Sequence, residues 1–559
     1  MENIDIIADR YVDDLVRLDP VTATGEGVET YNDRLTDLSP DGFAALADLD
    51  RRTLAAITAI EPADERERVA RDAMIERLTL SLEEYAAGTH VSGFNVIASA
   101  IHGVRGVFDL MPLAGEKAAT DLIARISAIP TAFAQFQQTM REGATAGRIA
   151  SHHQLMAVAD QCTVWTDPAG DDFWPGLGGR LAAATELSPG ARAELDAAVA
   201  AAVRATGEFG TFLRTELAPR APEKQAVGRE RYALASRNFL GATVDLQETY
   251  LWGFDELARI EGEMRGEAAK IVPGGGIDEA VAALDAQPAR RIAGKEAFRD
   301  WMQELADETI SQLHGTHFEI PEQVRRIQCM IAPTSDGGIY YTGPNEDFTR
   351  PGQMWWAVPA GVTEFSTWRE VTTVYHEGVP GHHLQVGQTK VRSDVLNHWQ
   401  RSFAWCSGHG EGWALYAERL MDELGYLQDP GNRLGMLDGQ AFRACRVIVD
   451  IGMHLELEIP RDNPFGFHPG ERWTPELGWE FLRAHCRLED ALLRFELDRY
   501  LGWPGQAPAY KVGERIWLQV RDEAKARKGT AFDLKAFHQD ALNLGSLGLD
   551  PFREAVSRI

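Results

Sequence analysis

The sequence predicts a mainly α protein of two lobes, with a small β-sheet beside a histidine-bearing helix. Apolar residues recur at steps of three and four through most of the chain, the spacing of amphipathic helices. Strand-like runs are few. No G-x-G-x-x-G follows a strand and no internal repeat occurs, which argues against a doubly wound nucleotide-binding sheet.

In chain order, helices are expected over residues 5–18, 42–60, 65–87, 116–143, 191–217, 243–270, 296–313 and 476–500. The alanine-rich stretch 191–206 adds intrinsic helix propensity. The best strand candidates are Gly338–Thr342 and Met354–Val358, both bounded by Gly and Pro. Pro- and Gly-containing breaks fall near 217–228, 272–276 and 460–472. The first divides an N-terminal helical lobe (1–220) from a catalytic lobe (221–559), or is a surface loop inside one continuous domain.

Composition narrows the class. Hydrophobic content of 44% and charged content of 25% are those of an ordinary globular protein. A net charge of −28 without a basic run excludes a nucleic-acid partner, because phosphate contacts need clustered Lys and Arg. The acidic amphipathic start MENIDIIADRYVDDLV is not expected to act as a signal peptide, and no run of 18 apolar residues forms a membrane span. Five scattered Cys without C-x-x-C spacing read as reduced core thiols, so the expected location is cytoplasmic.

Chemistry concentrates in Val-Tyr-His376-Glu377-Gly378-Val379-Pro380-Gly381-His382-His383. A His-Glu pair followed by further histidines offers metal ligands and a general base in one local unit. In H-E-x-x-H the second His sits four residues after the first, where this chain has Pro380. Thr367 and Glu370 have capping-box spacing at the start of a helix over Phe365–Glu377. On a straight helix His376 would lie about 9 Å from His382 and about 10.5 Å from His383 along the axis, too far to share an ion. A two-residue bulge at Gly378–Gly381 would bring a later His under the first. His382, directly after Gly as in H-E-x-G-H variants, is preferred to His383 as ligand, with Glu377 as base. The alternative is a kinked helix with buried, hydrogen-bonded histidines and no ion.

Two helical histidines need a third ligand. Glu411 opens a helix that ends at Gly425, after a flexible Ser-Gly-His-Gly at 407–410, and is the candidate; a plain helix-dipole role is the alternative. Glu418, two turns on, and His383 are expected to support the ligands. On a helix over Arg433–Glu458, Arg443, Arg446, Asp450 and His454 form one stripe, either a solvated face or the wall of a wet cleft. There an Arg could hold a substrate carboxylate, His454 an oxyanion, and Asp450 could orient His454. Tyr500 and Tyr510 border a Pro/Gly-rich loop and are further donors, Tyr510 to an oxyanion and Tyr500 to substrate. Tyr341, in the strand segment before the motif, is a substrate contact, and that strand offers an edge to an extended peptide. Core packing is the alternative for these aromatics.

Six segments carry a resemblance: LDPVTATGEGVETYNDRLTDLSPDG, YYTGPNEDFTRPGQMWW, FSTWREVTTVYHEGVPGHHLQ, EGWALYAERL, RACRVIVDIGMH and RYLGWPGQAPAYKVG. Together they resemble, over nearly the whole chain, a bacterial family catalogued as domain of unknown function 885. That family is distantly similar to helical zinc peptidases with a deep groove, the Taq-type carboxypeptidases and angiotensin-converting-enzyme-like enzymes. The resemblance implies a zincin-like fold with a central groove and one zinc ion held by His376, His382 and Glu411. It also implies a peptide or small amide substrate, cleaved by metal-activated water with Glu377 as general base. The Pro380-containing insertion departs from the peptidase pattern. Hydrolase or lyase chemistry on a small non-peptide substrate, and non-catalytic groove binding by a protein of zincin ancestry, are the rival expectations.

Overall fold

The computed structural model describes residues 3–168, 172–332, 338–359 and 361–559, and the fold is mainly helical. The chain divides into two compact units. One comprises Met1–Glu61, Leu78–Val227 and Phe495–Trp503; the other comprises Pro62–Arg77, Gly228–Arg494 and Pro504–Ile559.

The first unit is built around the helix Pro189–Phe212. Ser188 caps its N-terminus, accepting from the Ala191 N–H, and Pro189 occupies the first turn, where its missing donor costs nothing. Leu195, Ala198, Ala202, Ala205 and Phe209 form its buried stripe. Against this stripe pack the helices Glu116–Ser127, Ile129–Thr145 and His152–Val164, with Phe209 meeting Phe94, Phe133 and Phe136. The single helix expected over 116–143 is two, because Pro130 lacks the N–H a continuous helix would need.

The second unit holds the histidine motif. Seven helices matter to it: α1 (Leu246–Ile271), α2 (Thr367–Glu377), α3 (His382–Val391), α4 (Ser407–Glu423), α5 (Pro430–Leu455), α6 (Pro475–His485) and α7 (Ala509–Lys528). The long helix α5 packs on α1, α2 and α6, while α4 packs on α7 and α2. The helix expected over 476–500 ends with α6, and a second one begins at Asp490.

Among the described residues, five strands form two sheets: β1 (Arg291–Ala293), β2 (Ile327–Ile331), β3 (Ile339–Thr342), β4 (Gly352–Trp356) and β5 (Glu364–Ser366). β1 pairs antiparallel with β5 just before α2. The other sheet has the order β2-β4-β3, with β2 parallel and β3 antiparallel to β4, so β3 is an edge strand. It packs on α3 through β4. Among the described residues, no helix is long and apolar enough to cross a membrane.

Candidate metal centre

The break in the motif is larger than a bulge. α2 ends at Glu377, and α3 begins at His382 after the segment Gly378–Gly381. The Gly378 N–H still closes the last turn on Val374 O (2.8 Å), and the Gly381 N–H reaches back to Tyr375 O (3.0 Å). Trp413 of α4, fully buried, donates its indole N–H to Pro380 O (2.8 Å) and Gly381 O (3.2 Å). The turn is thereby held by a residue more than thirty positions away. Gly381 is required by close approach: a Cβ there would lie 1.9 Å from His376 O and 2.5 Å from Tyr375 O. Gly381→Ala is therefore expected to cost about 2–4 kcal/mol. Urea denaturation checks this, and an unchanged midpoint would refute it.

The expected capping box at Thr367 and Glu370 is not formed. Helix α2 begins at Thr367 itself, whose hydroxyl donates to Arg290 O (3.2 Å), and Ser366 bonds Asp285 (3.1 Å) instead of capping. Nor does Glu411 open its helix. α4 starts at Ser407, placing Glu411 in the second turn, and the glycines expected to be flexible are helical. They are packing glycines: a Cβ on Gly408 would meet Leu240 and one on Gly410 the Trp405 ring at 2.3 Å, as one on the neighbouring Gly412 would meet the Gly513 backbone of α7 at 2.5 Å.

These two corrections place three donor groups together. His376 Nε2 lies 3.5 Å and His382 Nε2 3.3 Å from the same Glu411 oxygen, and the two rings meet edge to face at 4.9 Å. Ligands bonded at about 2.1 Å to a tetrahedral ion stand about 3.4 Å apart. The set His376, His382 and Glu411 is thus compatible in donor type and spacing with one zinc-like cation.

His383 is turned elsewhere. Its Nε2 donates to Val324 O (2.8 Å), so Nδ1 accepts from the Tyr341 hydroxyl (2.9 Å), and burial lowers its pKa to about 4. Tyr341, on edge strand β3, thus has its hydroxyl bonded to a histidine, while its ring lies over His382 at 6.4 Å.

Glu418 supports His376. One oxygen accepts from His376 Nδ1 (2.8 Å) and the other from Thr372 Oγ1 (2.6 Å), all of it buried. This leaves His376 Nε2 facing Glu411. Burial opposes the charged imidazolium, but hydrogen bonds to Glu411 and Glu418 prevail and raise the His376 pKa to about 10. Burial likewise opposes the Glu411 anion, yet His382 and His376 hold its carboxyl well below the usual range. Glu418→Gln is expected to weaken metal binding about 10- to 100-fold, measurable by chelator competition. Unchanged affinity would reduce Glu418 to a packing residue.

Glu377 differs from both. Among the described residues its carboxylate accepts no hydrogen bond, and it is buried beside His376, His382 and Glu411. Burial raises its pKa against the pull of His376 and His382. A carboxylate so held has the features of a general base.

The stripe on α5 is no solvated face. Arg446, Asp450 and His454 are buried, and Arg443 is half-buried. Asp450 Oδ2 accepts from the Tyr232 hydroxyl (2.6 Å) and the Gly505 N–H (2.9 Å), and His454 lies against Asp450 (3.9 Å) and the Tyr232 ring. Arg446 stacks between Phe442 and Tyr510, and Tyr510 is half-buried. Tyr500 belongs to the first unit, where its hydroxyl donates to Glu496 (2.7 Å).

Three residues next to the ligands escape sequence reasoning. Thr372 is an ordinary helix residue until Glu418 reaches it, and Trp413 looks like plain core. Trp405, 49% exposed with its ring 6.3 Å from His382, stands beside the site without a motif to mark it.

A family profile described as "Bacterial protein of unknown function (DUF885)" matches residues 20–556. No curated protein matches the chain. Two solved structures are similar in fold. A Colwellia psychrerythraea protein described as a "putative lipoprotein" has a TM-score of 0.85 at 21% identity, covering 100% of this chain and 99% of its own. A Shewanella oneidensis protein described as a "putative lipoprotein of unknown function" has a TM-score of 0.72 at 19% identity, covering 99% of each chain.

Proposed function

The chain belongs to the DUF885 family, and from the geometry of its cluster we propose that it is a zinc-dependent hydrolase of peptide or other amide bonds. One observation carries the reading. Two histidines and a glutamate from three helices present their donors at 3.3–3.5 Å beside a buried glutamate that accepts no hydrogen bond among the described residues. A zincin-like fold, in which the Gly378–Gly381 turn replaces the continuous H-E-x-x-H helix, goes with this reading.

When bound, zinc supplies Lewis-acid polarisation of a carbonyl and acidifies water. The remaining work falls to side chains. Glu377 takes the proton of the attacking water and returns it to the leaving nitrogen, a transfer its raised affinity for a proton favours. Glu418 fixes the His376 ring through Nδ1, and Thr372 fixes Glu418. Of the two candidates for steadying the oxyanion, His454 is enclosed by Asp450 and Tyr232, so we assign the donor to half-buried Tyr510. We place the protein in the cytoplasm because all five cysteines are buried and unpaired. The two relatives described as lipoproteins make the cell envelope the rival compartment, and cell fractionation distinguishes the two.

The test is a peptide library incubated with zinc-loaded protein and read by mass spectrometry. Cleavage at defined bonds, inhibited by chelator, is the expected result. A protein that binds zinc stoichiometrically and cleaves nothing would instead be a binder.

A further inference from the structure

Arg443 stands out among the cations of the second unit. Helices α5 and α2 pack on each other. Gly435 abuts Trp368 so closely that a Cβ would meet its carbonyl oxygen at 2.3 Å, and Arg369 bonds Asp438 (2.9 Å). Arg443 follows Gly435 by eight residues, as His376 follows Trp368. Gln440 of α5 donates to the Leu415 carbonyl of α4 (3.2 Å), one turn before Glu418, and Arg443 is the next turn of α5 after Gln440. Its charge acts on both Glu377 and Glu418.

Yet it pairs with neither. Both Glu418 oxygens are taken by His376 and Thr372. Among the described residues the Arg443 guanidinium bonds only the Gly439 carbonyl of its own helix (3.2 Å), and its Nε is buried without a partner. Other arginines here are served by acids. Arg433 meets Glu263, Glu267 and Asp422, Arg369 meets Asp438, and Arg419 meets Glu256 and Glu514. In a chain with 84 acidic and 56 basic residues, Arg443 differs from these three in having no carboxylate partner among the described residues. A guanidinium presents parallel N–H groups that match a carboxylate, and an unsatisfied fork beside a general base is a receptor for an anion that arrives with the substrate.

We propose that this site takes substrates bearing a free carboxylate near the scissile bond, such as the C-terminus of a peptide, and that Arg443 holds that carboxylate. The inference rests on the hydrolase reading for its chemistry, but its test does not need turnover. The probes are two short peptides of one sequence, one ending in a free carboxylate and the other amidated. Their binding to zinc-loaded Glu377→Gln protein is measured by calorimetry, and their cleavage by the zinc-loaded unaltered protein by mass spectrometry. The free acid is expected to bind about 30-fold more tightly or better, the worth of a charged hydrogen-bonded pair. Adding Arg443→Gln should abolish the preference, and Arg443→Lys, which keeps the charge but not the fork, should restore part of it. Zinc stoichiometry and melting temperature establish that each variant is folded. Equal binding of the two peptides, or a preference that survives both Arg443 variants, overturns the proposal. Preferential binding without any cleavage rejects the hydrolase reading and keeps the carboxylate site. Cleavage indifferent to the C-terminal charge does the reverse.

Discussion

Glu377→Gln is expected to lower kcat by about 10²- to 10⁴-fold while zinc content stays near one per chain. The glutamine is nearly isosteric, so the ends of α2 and α3 that carry His376 and His382 keep their places. It cannot take a proton, which removes the one function assigned to Glu377. The side chain accepts no hydrogen bond among the described residues, so no structural bond is lost with the charge. Neutralising a buried carboxylate that already resists ionisation should leave stability the same or higher. Single-turnover kinetics together with metal analysis read both quantities. Turnover that persists in this variant would remove Glu377 as base, and loss of zinc would make it a ligand.

The second large effect concerns the ligands. With zinc binding worth about 10–16 kcal/mol in small protein sites, removing one of three protein ligands should cost on the order of 3–5 kcal/mol, a Kd weakened roughly 10²- to 10³·⁵-fold. His376→Ala, His382→Ala and Glu411→Gln should all behave so. His383→Ala should retain zinc, because both His383 ring nitrogens are occupied by Val324 and Tyr341. Zinc lost with His383 and kept without His382 would overturn the ligand set.

Proton release accompanies this binding. His376, with its pKa raised to about 10, carries a proton at neutral pH in the metal-free protein, and zinc must displace it. Apparent affinity should rise about tenfold per pH unit towards pH 10, and calorimetry in buffers of different ionisation heat counts the proton. The stability linkage has the matching sign. A histidine pKa raised from 6.5 to about 10 stabilises the metal-free fold fully below pH 6.5, and that contribution fades as pH rises to 10.

Much of the local structure is legible in the chain because it is decided locally. The three- and four-residue apolar spacing of 296–313 becomes the helix Lys295–Leu313, and that of 243–270 becomes α1, within a few residues. Gly425, in the left-handed region, ends the α4 turn as its type requires. The pairing of His376 with Glu377, and a carboxylate at Glu411, are equally visible from residue types at short range.

What escapes is whatever depends on partners distant in sequence. Thr367 and Glu370 have the spacing of a capping box, but Arg290 and Asp285 compete successfully for Thr367 and Ser366. The glycines of 407–410 read as flexible, yet they lie within α4, where Leu240 leaves no room for a Cβ on Gly408 and Trp405 none on Gly410. The Arg446–Asp450–His454 stripe reads equally as a solvated face or the wall of a wet cleft until Tyr232 and the Gly505 backbone are seen to meet Asp450.

By itself, then, the sequence determined a mainly helical chain, a His-Glu pair at a helix end and a carboxylate on a second helix. Each of these follows from interactions within a few residues. Tertiary structure decided which histidine turns to Glu411. Gly378–Gly381 permits several paths, and the Trp413 indole bonded to the Pro380 and Gly381 carbonyls, with Gly381 seated on the His376 carbonyl, holds the one that brings His382 to His376.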